Sequence, residues 1–213
     1  MVLELRLSGG QLNTSVNGSL GGQRSDTAVV SDVTNNFFDD ITRSEGLVGK
    51  TEYRCGYIYN PDATTYTGVT VELITNPGLG QVSIALDTSG KGDGRTSGIA
   101  SSIATEDVTP SGVTFFGEEN PDDGPGAGIP YDIVRLPIGL LKQGEGVPIW
   151  MKRKTEQGAT QTITFDFTIT YDTQTLPGDT VDDGGAFGEL IDVSVQVSSA
   201  LIDTARIGFA EIA

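Results

Sequence analysis

The chain contains no histidine, a single cysteine (Cys55), a single tryptophan (Trp150) and two methionines. Without an imidazole there is no Ser-His-Asp triad, no Cys-His dyad and no His-ligated zinc. One thiol cannot form an internal disulfide, a CxxC redox pair or a four-cysteine metal site. Basic residues are scarce: 13 Lys plus Arg against 29 Asp plus Glu give a formal net charge of −16. That balance speaks against nucleic acid as a partner, because phosphate contacts need clustered Lys and Arg. No apolar run approaches the roughly 20 residues of a bilayer-crossing helix, so no membrane partner is expected. Residues 1–10 do not join a basic stretch to an apolar one. No secretory leader is therefore expected, and assembly in a host cytoplasm is.

What fills the chain is glycine, 29 residues of it, with Thr, Ser, Asp and Asn taking up what an apolar fraction of 37% and a charged fraction of 20% leave open. These are turn and strand-surface residues. The length of 213 residues allows one large domain or two small ones, and the low apolar content predicts one thin core. The dominant period is two. Leu3, Leu5 and Leu7 alternate with Glu4 and Arg6. Tyr53, Cys55, Tyr57 and Tyr59 share a face opposite Glu52, Arg54 and Gly56. Val69, Val71 and Leu73 form another stripe, as do Ile163, Phe165, Phe167, Ile169 and Tyr171, and then Ile191, Val193, Val195 and Val197. Shorter strands are expected at 27–33, 81–87, 113–116, 147–151 and 205–209. Residues 35–45, with Phe37, Phe38 and Ile41, fit a short helix or a strand equally. The brief link at 155–159 predicts an antiparallel hairpin between 147–151 and 163–171.

The pattern predicts an all-β protein, an Ig-like or jelly-roll-type antiparallel β-sandwich. It divides into an extended N-terminal arm (1–34), a sandwich core (35–171) and a C-terminal arm with one or two strands (172–213). Tyr53, Cys55, Tyr57, Val69, Val71, Leu73, Ile163, Phe165, Phe167 and Ile169 are expected to face inward, the tyrosines against the 163–171 strand. The arms carry alternating apolar positions with little core of their own, so their strands are expected to pair with another chain or to dock along the sandwich, and Leu3, Leu5, Leu7, Ile191, Val193 and Val195 are marked as assembly contacts.

Candidate chemistry is sparse. Gly49-Lys50-Thr51 resembles the end of a phosphate loop, but position 44, where that loop needs glycine, holds Ser44, and the segment enters a strand. Glu118-Glu119, Asp122-Asp123 and Asp182-Asp183 are paired acids in Gly/Pro-rich loops, where solvated carboxylates are the ordinary outcome. Asp87, Asp93, Asp122 and Asp182 have the oxygen chemistry that calcium takes, without the spacing of a dedicated calcium loop. Asn13-Thr14-Ser15 and Asn17-Gly18-Ser19 match the glycosylation sequon, which means little without a secretory route. The Tyr53, Tyr57, Tyr59 stripe suits core packing better than a stacking platform. No metal or cofactor is expected.

Four stretches together resemble virion structural proteins of tailed bacteriophages: LRLSGGQLNTSVNGSLGGQRSDTAV, FFDDITRSEGLVGKTEYRCGYIYNPD, TGVTVELIT and PIWMKRKTEQGATQTITFDFTITYDT. In such proteins a Gly-rich "LSGG…SLGG" arm leads through a Phe-Asp block into an "EYRC" strand of an Ig-like sandwich, and a "W-x-x-R" strand closes the domain. The resemblance spans about residues 5–171 and does not extend to 172–213. It implies a non-enzymatic virion component, a capsid decoration (cement) protein on the outer face of the head, with the major capsid protein or other virion proteins as partners. A tail, neck or baseplate component and a carbohydrate-binding module are the alternatives. Lys152-Arg153-Lys154 is the one basic run in an acidic chain. Set against a neighbouring copy's acidic loop it would orient a homo-oligomer, expected to be a trimer like decoration proteins at local threefold positions.

Overall fold

The computed structural model describes residues 3–30, 36–75, 81–116, 132–155, 157, 163–173 and 191–197. Its strands are β1 (Glu4–Leu7), β2 (Lys50–Tyr59), β3 (Tyr66–Thr75), β4 (Gln81–Leu86), β5 (Asp132–Leu141), β6 (Gly146–Thr155), β7 (Ile163–Thr173) and β8 (Ile191–Val197), with one short helix, α1 (Arg43–Val48). They form two antiparallel four-stranded sheets, β1-β2-β6-β4 and β5-β3-β7-β8. The protein is an all-β sandwich.

From β2 to β7 every connection crosses between the sheets. The expected β6–β7 hairpin is therefore corrected. β6 lies between β2 and β4, while β7 lies between β3 and β8. The seven residues between them are longer than a two-residue hairpin turn needs and long enough to span the roughly 10 Å between packed sheets. β5 was not legible as a strand, because Pro137 and Gly139 interrupt its alternation. Pro137 is tolerated since β5 is an edge strand.

Within the N-terminal arm, residues 3–7 dock along the sandwich, one of the two outcomes expected for it. β1 pairs with the second half of β2, Glu4 opposite Tyr59 through Leu7 opposite Gly56. Leu3, Leu5 and Leu7 are buried in the inter-sheet core with Phe37, Phe38, Ile58, Val71, Leu73, Ile84, Ile149 and Ile169. Burial of a leucine contributes about 1.5–3 kcal/mol, so three of them hold this segment on the sandwich. They cannot serve as exposed assembly contacts. At the other end β8 pairs with β7, from Ile169 opposite Ile191 to Ile163 opposite Val197. The C-terminal strand is thus part of the second sheet, and the expected strand at 205–209 lies outside the described residues.

Phe37, Phe38 and Ile41 are buried in an irregular segment, and the helix begins only at Arg43. A capping box starts it. The Thr42 hydroxyl accepts from Glu45 N, and Thr42 N donates to the Glu45 carboxylate at 2.8 Å.

The two sheets are covered differently. On β3, Val69, Val71 and Leu73 are buried while Thr70 and Glu72 are not, and on β5 Leu136 and Ile138 alternate with exposed Arg135 and Pro137. On β2, all residues from Glu52 to Ile58 are buried in an unbroken run. A third layer, built from 8–26 and 87–116, covers the outer face of that sheet. It rests on a second apolar cluster of Tyr53, Cys55, Tyr57, Ala85, Ala100 and Trp150. The tyrosines therefore pack away from β7, not against it, which corrects the expected partner while keeping their burial. Side chains of Ile163, Phe165 and Phe167 lie outside the described set. Gly21 shows how tightly the third layer docks: at φ +90°, an added Cβ would sit 1.8 Å from the Ser101 carbonyl oxygen.

Candidate functional site

The densest chemistry is a charged cluster at one end of the β1-β2-β6-β4 sheet. β2 places Lys50, Glu52 and Arg54 on one face, two residues apart, and β6 places Arg153 directly opposite Glu52. The segment before α1 adds Asp39, the helix adds Glu45, and the third layer adds Glu106. Glu52, Arg54 and Arg153 are all but fully buried.

Arg153 Nε donates to Glu52 Oε2 at 2.7 Å, its Nη2 pairs with the same oxygen, and its Nη1 donates to the Asp39 carbonyl at 2.9 Å. Arg54 Nη2 donates to Asn17 Oδ1 at 3.1 Å and Asp39 Oδ1 at 3.3 Å, and pairs with Glu106 Oε2. Lys50 Nζ lies 2.9 Å from Glu52 Oε1 and bridges Glu45 to Glu106. Phe38 packs against both guanidiniums, Arg153 4.7 Å and Arg54 5.9 Å from its ring centre.

The electrostatics follow from this crowding. Burial opposes the Lys50 charge, but hydrogen bonds to Glu106, Glu45 and Glu52 prevail and its pKa is raised. Burial likewise opposes ionisation of Glu45, yet bonds from Lys50 and Thr42 bring its pKa down to about 2. Glu106 is lowered in the same way by Lys50 and Arg54. Carboxylate oxygens of Asp39, Glu52 and Glu106 lie within 4.8 Å of one another, a spacing that a hard cation can use. Here Lys50, Arg54 and Arg153 already neutralise them. The arrangement clamps β2, β6, the 37–45 segment and the third layer together.

A second polar knot joins the third layer to the sheet. Asp87 is buried and accepts from Trp150 Nε1 at 2.8 Å, Ser101 Oγ at 2.8 Å and Ser89 N at 2.9 Å. Burial would raise its pKa, but these donors lower it. Tyr57 Oη donates to the Gly22 carbonyl at 2.6 Å and accepts from Ala100 N at 2.8 Å. Where β1 ends, loop carbonyls complete the sheet: Cys55 N donates to Ser19 O at 2.8 Å and Tyr53 N to Glu106 O at 2.7 Å. Burial pushes the Cys55 thiol well up, so it is a core side chain.

Several expectations change. Lys152, Arg153 and Lys154 do not form one basic patch. Arg153 points into the cluster, and Lys152 and Lys154 are half-buried and engaged in interactions of their own. Strand alternation sends neighbours to opposite faces, and the trimer contact argued from this run loses its basis. Tyr53 and Tyr57 are buried, as expected of a core stripe, and Tyr59 lies under the Arg24 guanidinium at 3.7 Å. Asp93 spends its carboxylate on the N–H groups of Arg95, Thr96 and Ser97, which lower its pKa, and Asp87 on the donors above. Both carboxylates are thus engaged by protein donors. Asp122 and Asp182 lie outside the described residues. Lys50 is held by the carboxylates of Glu45, Glu52 and Glu106. Asp39, Glu52, Arg54 and Glu106 were missed. The available signal was the run of charges at 50, 52 and 54 on a strand whose other face carries Tyr53, Cys55, Tyr57 and Tyr59.

No family model matches the chain, and no curated protein does. Among solved structures, the N-terminal domain of PorA aligns over 93% of this chain and 97% of its own, at 12% identity and a TM-score of 0.36. A likeness that distant carries no functional argument.

Proposed function

We propose that this protein is a non-enzymatic structural component of a bacteriophage virion, a capsid decoration (cement) protein that bridges capsid subunits on the outer surface of the head. The observation that carries this reading is where the resemblance residues meet. Asn17 and Ser19 of the Gly-rich stretch, Phe38 and Asp39 of the Phe-Asp block, Arg54 and Cys55 of the EYRC strand, and Arg153 of the W-x-x-R strand are all joined by direct contacts. Blocks up to 136 positions apart in sequence, Asn17 to Arg153, converge on one cluster. Residues that build a framework together support a likeness of framework, which scattered coincidences would not.

The energetics favour the same kind of role. A sheet buried on both faces and clamped by ion pairs is a stiff element, suited to transmitting load between neighbours. The acidic remainder of the surface keeps closely spaced copies soluble. The partners are the major capsid protein or other virion proteins, and the protein acts as a homo-oligomer.

Quantitative mass spectrometry of purified particles tests this. Hundreds of copies per particle support decoration. A small multiple of three or six places the chain in the tail, neck or baseplate instead. Absence from particles overturns the virion reading. Adding purified protein to undecorated heads should raise the temperature at which they release DNA.

A further inference from the structure

Each sheet has two edges, and three of the four are closed by devices visible in the fold. The free side of β1 is lined by 25–29: Ser25 N donates to Leu7 O at 2.8 Å, Leu7 N to Thr27 O at 3.0 Å and Val29 N to Leu5 O at 2.7 Å. The free side of β4 exchanges two 2.9 Å bonds between Ile84 and Phe116. β5 is blunted by exposed Pro137, by Gly139 at φ +80° and by Lys91 Nζ donating to the Leu140 carbonyl at 2.7 Å. The fourth edge is the outer side of β8. Among the described residues nothing is paired with it. Its seven residues, Ile-Asp-Val-Ser-Val-Gln-Val, contain no Pro, Gly or Lys.

The β8 sequence also reads the same in both directions as a pattern. In an antiparallel pair centred on Ser194, Ile191 stands opposite Val197, Val193 opposite Val195, and Asp192 opposite Gln196. Every apolar register position meets a β-branched residue, which is the favourable cross-strand class. The one charge, Asp192, meets an amide and not its own copy. Shifting the register by two sets apolar against apolar but ends the ladder short. Shifting by one sets polar positions against apolar ones.

We propose that the β8 edge pairs with the β8 edge of a second copy about a two-fold axis through Ser194, joining the two β5-β3-β7-β8 sheets into one eight-stranded sheet. The contact is isologous, so it closes as a dimer and leaves no open edge for runaway addition. It is independent of the virion reading, and it makes two-fold pairing, not a basic strand end, the basis of oligomerisation.

Cysteine cross-linking of the full chain tests the register. Antiparallel partners lie about 4.5–5.5 Å apart between Cα atoms, inside the range a disulfide spans. Wild-type Cys55 is buried and should give no cross-link. Ser194→Cys should form a covalent dimer under mild oxidation. Asp192→Cys alone should not, because its two copies would stand roughly 14 Å apart along the strand, four residues at ~3.4 Å each. Asp192→Cys mixed with Gln196→Cys should cross-link as Ser194→Cys does, at least tenfold faster than Asp192→Cys alone. Sedimentation of the unmodified protein should give twice the chain mass. A monomeric mass, or equal cross-linking of all three samples, overturns the proposal.

Discussion

Glu52–Arg153 and Glu72–Arg135 are the same device in two places. Each joins residues directly opposite one another on neighbouring antiparallel strands, one pair in each sheet. Each is built on an Arg Nε to carboxylate bond, 2.7 Å in the first and 2.6 Å in the second. They differ in solvent. Arg153 and Glu52 are 0% and 1% exposed, Arg135 and Glu72 61% and 19%. Coulomb attraction at fixed distance scales inversely with the effective dielectric, and so does the cost of leaving one partner alone. The comparison teaches that a cross-strand ion pair takes its weight from what covers it. The third layer, the 37–45 segment and the opposite sheet convert an ordinary surface motif into a clamp.

The largest expected effect follows from breaking the buried member. Arg153→Ala should leave Glu52 with a buried and under-compensated charge, at a cost of about 3–5 kcal/mol in urea unfolding. Glu52→Ala should cost a similar amount. The combination Glu52→Leu with Arg153→Met should cost clearly less than the two alanine variants added together, since no charge is then stranded. A single variant that loses under about 1 kcal/mol would show that the cluster is wetter than its burial implies.

A smaller effect is expected at the other polar knot. Tyr57→Phe keeps the ring and deletes the hydroxyl that links Gly22 O to Ala100 N. Two backbone groups lose their partner, at about 1–3 kcal/mol for each group left buried and unsatisfied. Because the loss falls between the third layer and the sheet, amide exchange should accelerate around Gly22 and Ala100 before it does in β3. Uniform acceleration across both sheets would mean that the layer and the sandwich open as one unit.

The two sheets were also unequally legible. Val69, Val71 and Leu73 alternate with polar residues, and their strand is buried on one face, so period two gave both the strand and its inward side. In β2 the same rule separated Tyr53, Cys55 and Tyr57 from Glu52 and Arg54 correctly. It then assigned the apolar set to the inter-sheet face, because charges normally face water. That assignment fails here since Glu52 meets Arg153, 101 positions away, and Arg54 meets Glu106, 52 positions away. Partners at such separations leave no local signal. The third layer left none either: 8–26 and 87–116 are Gly- and Ser-rich, carry no period, and hold their shape through backbone bonds and Asx turns such as Asp93. Leu3, Leu5 and Leu7 were read properly as a strand, but a chain end gives no indication of whether its strand docks at home or on a neighbour.

Acid should sharpen the contrast between covered and open charges. The pKa of Glu45 is depressed to about 2, and that of Glu106 is lowered. A carboxylate with a depressed folded-state pKa contributes stability that is fully present above its unfolded value, and that contribution is lost as pH falls through the folded one. The window for Glu45 therefore runs from its ordinary 4.5 down to about 2. The melting temperature should fall across that range, and Glu45→Gln, already without the charge, should fall less. Parallel curves for the two proteins would mean that the Lys50 bridge contributes nothing to folding.

The smallest effect should come from the open pair. Arg135→Ala removes the same 2.6 Å bond that would be costly elsewhere, yet it should change stability by only about 0–1 kcal/mol. Glu72 stays within reach of water once its partner is gone, so no buried charge remains. What attraction there is should be screened. At 1 M salt the Debye length is about 3 Å, and the difference between wild type and Arg135→Ala should shrink towards zero. The Arg153→Ala deficit should persist at the same salt, because ions cannot enter a site with 0% exposure. If both deficits vanished together in salt, the buried cluster would be open to solvent and the contrast between the two sheets would collapse. If both persisted, Glu72 and Arg135 would be covered in solution by another surface, and the outer face of the β5-β3-β7-β8 sheet would itself be an interface.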